Sequence, residues 1–407
     1  MRVFLIVLDG VGIGASQDCT LFNDPPTVNT TLNSIKKAFS QNFKTDFPNL
    51  SKLGLHKILQ IKNPHLKDQD LENLGFNTNS NTISSYGIMK EKSKGKDTIT
   101  GHWEIAGIIL EKGFDTFSSF PQELIKEFEQ RINKKIIGNK AASGTEIIKE
   151  LGEEHLKTGK IIVYTSADSV FQVAAHVDVI KLEELYRICQ IAYDLIQEKG
   201  YRIARVIARP FAGEKDNFYR LNELRKDFAV PPPSKTILDI LYESSLQVIT
   251  VGKVADVFAH RSITKNYKIS GNRNIFYKTV ELAAEEFEGL VFSNLVDFDT
   301  VYGHRQDYLG WVKALKEFDQ IIPDLINKLK ENDLLIITAD HGNDPTDDST
   351  DHTREDVPLI CITSKINPHF LGIKESYRYV SFLIQNHFKE KLIDKLEIKE
   401  YEQNVRN

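Results

Sequence analysis

Cysteine is nearly absent from this chain: Cys19, Cys189 and Cys361 are all it has in 407 residues. No two of them stand at the spacing of a thiol metal site or a redox pair, and an odd number argues against a disulfide framework. A reducing, cytoplasmic setting is the expectation, with the three as small buried residues. No run of five or six like charges occurs, and 52 basic against 57 acidic residues leave the chain near balance. That distribution recommends neither nucleic acid nor an anionic membrane as a partner, and nothing points to an obligate protein partner. Long hydrophobic stretches are missing as well. The apolar run at residues 3–8 is far too short for a transmembrane span and no cleavage-site pattern follows it, so it does not read as a signal peptide. No internal repeat is evident.

What the chain does have is a series of short runs rich in Val, Ile and Leu, each ending in a polar or charged residue. They are "VFLIVLDG" ending at Asp9, "KIIVYTSAD" at Asp168, "ARVIARP" at Arg209, "LQVITVGK" at Lys253, "LVFSNLVDFD" at Asp299 and "DLLIITADHG" at Asp340. Continuous apolar character fits strands covered on both faces, as in a parallel sheet flanked by helices. Ligands gather at the carboxyl ends of such strands, which is where these charged residues fall. Between the runs, Leu185, Ile188, Ala192 and Leu195 step by three and four, as do Leu315, Phe318, Ile322, Leu325 and Leu329. These read as amphipathic crossover helices, the second kinked at Pro323. A length of 407 residues predicts two domains. The prolines of residues 230–235 mark a linker, and a second crossing near residues 112–118 would make 112–232 an insertion in a larger α/β domain built from 1–111 and 233–407. The Asn/Ser-rich residues 74–85 read as a surface loop.

The segment "TADHGNDPTDDSTDHTRE" carries the strongest chemical signal. It sets Asp340 and His341 at the end of a strand, with His352 eleven residues on. Carboxylates and imidazoles without thiolate suit a divalent ion such as Mn²⁺, Mg²⁺ or Zn²⁺. A helix-loop-helix calcium loop does not fit: counting from Asp340 the sixth position is Pro345, and from Asp344 it is Ser349, where glycine is needed. A second cluster, "DFDTVYGHRQD", again ends a strand and brings Asp299 and His304 together, although Asp297, two residues earlier, is an equal candidate on spacing. Asp9 ends the first strand in the same way. The polar stretch "KGKDTITGHWE" at residues 94–104 has neither helical nor strand periodicity and is either a loop or a site.

Taken in order, "VLDGVGIG", "KDTITGHWEIAG", "YTSADSVFQVAAH", "NLVDFDTVYGHR" and "ITADHGNDPTDDSTDHTRE" resemble the phosphopentomutases of the alkaline phosphatase superfamily. "GNKAASGTEI" and "RVIARPFAGE" extend the likeness into the insertion; it weakens over residues 61–85 and the last fifty. The resemblance implies an alkaline-phosphatase-like α/β core, with a central mostly parallel sheet flanked by helices, and an inserted α/β cap that closes over a sugar. It implies two divalent ions, Mn²⁺ by family habit. One would be held by Asp299, His304 and His352, the other by Asp9, Thr98, Asp340 and His341. Thr98 would carry the phosphoryl group, with Thr100 structural, and a sugar bisphosphate would prime it. Ser166, Asp168, Val170, Arg209 and Arg225 would line the sugar-phosphate pocket, Asp168 on the ribose hydroxyls. Two divalent ions against Asp9, Asp299 and Asp340 leave about one positive charge for a phosphate near minus two, so further cations are needed, and Arg209, Arg225 and Lys253 are the candidates. The implied reaction interconverts ribose or deoxyribose 1-phosphate and 5-phosphate through a bisphosphate. A two-metal hydrolase and a non-catalytic metal module are the rivals; cofactor-independent phosphoglycerate mutases use serine where this chain has Thr98. "GHWE" is expected to be a packed turn holding Thr98, and the histidines at 56, 65, 155, 176, 260, 369 and 387 to be structural or on the surface.

Overall fold

The strand Arg2–Leu8 is buried along its whole length. In the computed structural model of the chain, which describes residues 1–166 and 169–397, it lies inside an eight-stranded sheet. The order across that sheet is Lys265–Tyr267, Gln247–Val251, Gly289–Leu295, Arg2–Leu8, Asp333–Thr338, Val357–Ile362, Ser85–Met89 and Phe370–Lys374. Val357–Ile362 runs against both neighbours, and every other pairing is parallel. Leu8 stands opposite Leu295, and Val7 opposite Thr338. The segments that follow these three strands therefore leave the sheet along one edge, and they begin with Asp9, Val296 and Ala339.

The opposite edge is pinned by charge. Arg2 and Asp333 are register partners, both buried, and the guanidinium donates through Nε and Nη2 to the two carboxylate oxygens at 3.1 and 2.5 Å. Its Nη1 caps the carboxyl end of the helix Asn272–Ala284, donating to the carbonyls of Ala283 and Glu285 at 2.8 and 2.7 Å. A one-residue slip would break both contacts, so this group fixes the register on which the far edge depends.

The helix Tyr308–Ile326 buries Leu315, Phe318, Ile322 and Leu325, as their spacing predicts, and stops before Leu329. Pro323 has no N–H for the carbonyl of Asp319, which instead accepts from Nδ2 of Asn49 at 2.8 Å. The Asp319 carboxylate in turn accepts from the N–H groups of Asn49 and Leu50 at the start of the helix Pro48–Lys52. Residues 74–85 are mostly irregular, but Phe76 is buried against Phe47, with ring centroids 5.0 Å apart.

The chain divides into two compact units, Met1–Lys112 with Pro232–Asn407, and Gly113–Pro231. The second unit has its own sheet, ordered Ile136–Ala141, Ile161–Thr165, Val170–His176, Arg205–Ala212 and Tyr219–Arg220, with Lys226–Ala229 also paired to Arg205–Ala212. Phe120, Phe128 and Phe171 pack on one side with the helices Gln122–Ile132 and Leu182–Glu198. On the other, Ile147 and Ile148 of the helix Gly144–Thr158 meet Tyr164 and Phe211. Cys19, Cys189 and Cys361 are all buried and unpaired. Among the described residues, no helix is long and apolar enough to cross a membrane.

Candidate active site

The polar stretch of residues 94–104 enters a short helix, Thr98–Ile105, so that "GHWE" is helical and not the packed turn expected of it. Asp97 caps it, accepting from the N–H groups of Ile99 and Thr100 at 3.0 and 3.1 Å. The hydroxyl of Thr100 donates to the same carboxylate at 2.5 Å. Thr98 is the first helical residue, at the positive end of the helix dipole, and its Oγ1 lies 3.2 Å from Nε2 of His341. Each remaining residue of "GHWE" anchors this helix. A Cβ on Gly101 would lie 2.0 Å from the carbonyl oxygen of Asp340, so only glycine allows the approach. His102 stacks on Phe292 and sets Nδ1 2.9 Å from both the Thr98 carbonyl and Oδ2 of Asp340. Trp103 Nε1 donates to the Val257 carbonyl at 3.0 Å. The buried Glu104 carboxylate accepts from the N–H groups of Lys92, Ser93 and Tyr377 and from the Ser376 hydroxyl.

The sheet edge supplies the other groups. His341 Nε2 stands 3.3 Å from Oδ1 of Asp9 and 3.4 Å from Oδ2 of Asp340. Close by, His304 and His352 each bring Nε2 to 3.2 Å from Asp299, and the two nitrogens are 3.2 Å from one another. Asp299, His304 and His352 converge as one set of possible ligand atoms; Asp9, Asp299 and His341 converge as another. Asp299 thus belongs to both. A wide helical turn, Phe298–Tyr302, followed by the turn Gly303–Arg305, carries Asp299 and His304. Asp297 goes elsewhere: its carboxylate accepts from Asn272 N–H at 2.7 Å, at the start of the helix Asn272–Ala284.

Second contacts fix how these groups point. Nδ1 of His304 faces the Thr350 carbonyl at 2.7 Å, and Nδ1 of His341 faces the Gly342 carbonyl at 3.0 Å. A carbonyl only accepts, so each Nδ1 carries a proton and leaves Nε2 to bind inward. Asn294 donates to Asp9 Oδ2 at 2.8 Å, and Asn343 to Asp299 Oδ1 at 2.7 Å. Sequence reasoning passed over both asparagines. Asn294 had a signal, as an amide in a mostly apolar strand; Asn343 lay inside the motif beside stronger candidate ligands.

Three carboxylates in a dry space call for positive charge. Burial, then the neighbouring Asp340 and Asp299, push the Asp9 carboxyl above its ordinary range. Burial opposes ionisation of Asp299 too, but His352 and His304 overcome it and hold that carboxyl well below. His341 is pushed well above the usual histidine range: burial acts against its charge, and Asp340 and Asp9 outweigh it. Oδ1 of Asp9 and Oδ2 of Asp340 are buried and faced only by imidazole nitrogens, with no well-formed hydrogen bond to either. Buried carboxylate oxygens beside imidazole nitrogens, with no thiolate, fit hard or borderline divalent cations.

Of the remaining sequence candidates, Ser166, Val170, Arg209 and Arg225 belong to the unit Gly113–Pro231. Ser166 follows the strand Ile161–Thr165, and Val170 opens the strand Val170–His176. Asp168 lies outside the described residues. Arg209, on Arg205–Ala212, donates Nε to Oε1 of Gln172 at 3.0 Å. Burial first, and then the like charge of Arg225, lower its pKa. Arg225 itself grips Asp227 with Nε and Nη2 at 2.6 and 2.5 Å. Lys253, half-buried, follows the core strand Gln247–Val251.

Comparison with known proteins gives the following. The metalloenzyme superfamily matches residues 1–391. A phosphopentomutase of Thermotoga maritima is 51% identical over 380 residues, covering 93% of each chain. One of Caldanaerobacter subterraneus subsp. tengcongensis is 50% identical over 390 residues, 95% of this chain and 94% of its own. Among solved structures, the alkaline phosphatase of the Antarctic bacterium TAB5 is 13% identical with a TM-score of 0.37, covering 95% of this chain and 97% of that one.

Proposed function

The chain belongs to the phosphopentomutases, metal-dependent isomerases that act as intramolecular phosphotransferases, and on that footing we propose that it works through a phosphothreonine at Thr98. The observation that carries this reading is the hydroxyl of Thr98. It is buried, heads a helix, and lies 3.2 Å from the His341 imidazole, which Asp9 and Asp340 flank.

In the proposed cycle Thr98 starts phosphorylated, primed by a sugar bisphosphate. The O5 hydroxyl of ribose 1-phosphate attacks the phosphorus, the Oγ–P bond of Thr98 breaks, and the hydroxyl proton is released. The product is the 1,5-bisphosphate. The second transfer returns the phosphoryl group from O1 to Oγ; O1 takes up a proton and ribose 5-phosphate leaves. Two divalent cations, Mn²⁺ by preference, held by Asp299, His304 and His352 and by Asp9, Thr98, Asp340 and His341, would supply charge for phosphoryl oxygens and favour the Thr98 alkoxide. Asp97 and Gly101 hold the threonine against the sheet edge. Burial of Thr98 limits water, which would otherwise hydrolyse the phosphothreonine. Arg209, held by Gln172 and short of negative charge, is our choice for the substrate phosphate. Ser166, Asp168, Val170, Arg225 and Lys253 complete the assignment, Arg225 only if it exchanges Asp227 for substrate. Buried, unpaired cysteines support a cytoplasmic setting.

The test is a coupled assay with Mn²⁺ and ribose 1-phosphate, following ribose 5-phosphate and free phosphate together, beside Thr98→Ala. Ribose 5-phosphate with little free phosphate, lost in the variant, is the expected result. Free phosphate as the main product would make the protein a hydrolase.

A further inference from the structure

Among the described residues Arg354 is the largest fully buried charged side chain, and the proposed cycle does not use it. Its guanidinium donates through Nε and Nη2 to both carboxylate oxygens of Asp18 at 3.1 Å. Nη1 meets Oε2 of Glu91 at 2.6 Å and the carbonyls of Ser93 and Gly95 at 2.9 and 2.6 Å, while Nη2 meets the Glu91 carbonyl at 2.6 Å. The flat face of the group stacks on Phe22, 4.5 Å from the ring centre.

The pattern of acceptors is the informative part. Residues 90–97, between the strand Ser85–Met89 and the helix Thr98–Ile105, have no regular structure. Backbone carbonyls at 91, 93 and 95, which helix or sheet neighbours would otherwise occupy, converge on this one cation. Residue 95 is three positions before Thr98. On its own side, Arg354 follows His352 by two residues, and the intervening Thr353 exchanges both backbone hydrogen bonds with Gly342, next to His341, at 2.8 and 3.1 Å. One guanidinium therefore ties the segment leading to Thr98 to the two segments that present His341 and His352. A planar fork with five N–H donors can serve such a set; an ammonium, with three tetrahedral donors, cannot.

We propose that Arg354 is a positioning residue for phosphoryl transfer: through Glu91, Ser93 and Gly95 it sets where the hydroxyl of Thr98 stands relative to the metal-ligand histidines. The inference rests on the Thr98 reading. It touches no substrate, so its removal is expected to act on turnover and leave substrate and metal affinity largely alone.

Arg354→Lys keeps the charge and loses the fork. The expected kcat is lower by about 100-fold, the cost of a misplacement near 1 Å, with KM for ribose 1-phosphate and Mn²⁺ affinity by calorimetry within about threefold. Amide hydrogen exchange on the metal-free protein is expected to quicken in residues 91–97 and not in the sheet. Glu91→Gln, expected to move the same readouts in the same direction by less, decides the matter if the lysine variant does not fold. A kcat within threefold of the parent, whatever the loss of thermal stability, would reduce Arg354 to packing and overturn the proposal. So would a loss confined to KM or to Mn²⁺ affinity. Turnover in Thr98→Ala would overturn the Thr98 reading, and this inference with it; full activity in Arg354→Lys beside a dead Thr98→Ala would overturn this inference alone.

Discussion

Adding a single methyl group at Gly101 gives the sharpest test of how Thr98 is placed. In Gly101→Ala the new carbon would lie 2.0 Å from the Asp340 carbonyl oxygen and 2.9 Å from the Asp340 Cβ. Ordinary contact begins near 3.4 Å, so the helix Thr98–Ile105 and the Asp340 turn must part by about 1.4 Å, less whatever bond angles absorb. Alanine improves intrinsic helix stability by ~1 kcal/mol. Forced separation in a packed core costs ~1–3 kcal/mol. The two nearly offset, and the net loss of stability is expected to be small, ~0–2 kcal/mol. Activity has no such compensation: moving Thr98 off its position by ~1 Å costs on the order of 100-fold. Urea unfolding and kcat at saturating Mn²⁺ are therefore expected to disagree, with the midpoint little changed and turnover almost gone. An alanine variant as active as the parent would refute the claim that this contact positions the nucleophile.

Three further outcomes follow from contacts already described. Asn343→Ala removes the amide that holds Asp299, and Mn²⁺ affinity by titration calorimetry is expected to fall ~10-fold or more; unchanged affinity would mean Asp299 is oriented by its histidines alone. Asp297→Ala deprives the helix Asn272–Ala284 of a terminal acceptor, costing ~1 kcal/mol in denaturant unfolding while kcat stays within about twofold; a large loss of kcat would return Asp297 to the metal site. Burial pushes the Asp319 carboxyl up to about 6 from 3.8, so ionising it opposes folding. Its contribution is complete below pH 4 and is lost as pH rises through 6. Relative to Asp319→Asn, the parent is expected to lose ~3 kcal/mol of stability over that interval. A difference between the two proteins that stays flat from pH 4 to 7 in urea unfolding would contradict this.

The central strands were legible because they are buried on both faces and so read as unbroken apolar runs with a charged stop. The same logic found Asp9, Asp299 and Asp340. It failed to separate Asp297 from Asp299, because alternation assumes that the strand continues. Past Leu295 the chain turns helical, and two residues later the side chain points to a different neighbour. The helix carrying Thr98 was illegible for another reason: all eight of its residues are buried, which leaves no polar face for a periodic pattern. Val357–Ile362 opens with Val-Pro, a poor beginning for an interior strand, yet Pro358 stands opposite Ile88 within the sheet. Arg354 shows the limit most clearly. Its partner Glu91 is 263 positions away, and nothing local in either stretch marks them for one another.

The sheet order also constrains how the protein can be made. Arg2–Leu8 lies between Gly289–Leu295 and Asp333–Thr338, so neither flank exists when that strand leaves the ribosome. At about 5–20 residues per second, its second partner arrives roughly 15–65 s later. For that interval a strand apolar from Val3 to Leu8 lacks one or both of its partners, whereas Gly113–Pro231 has its own sheet and two packed faces and emerges complete well before. The order of maturation then departs from the order of synthesis: the unit in the middle of the sequence closes first, and the sheet whose edge carries Asp9 waits for the far end of the chain.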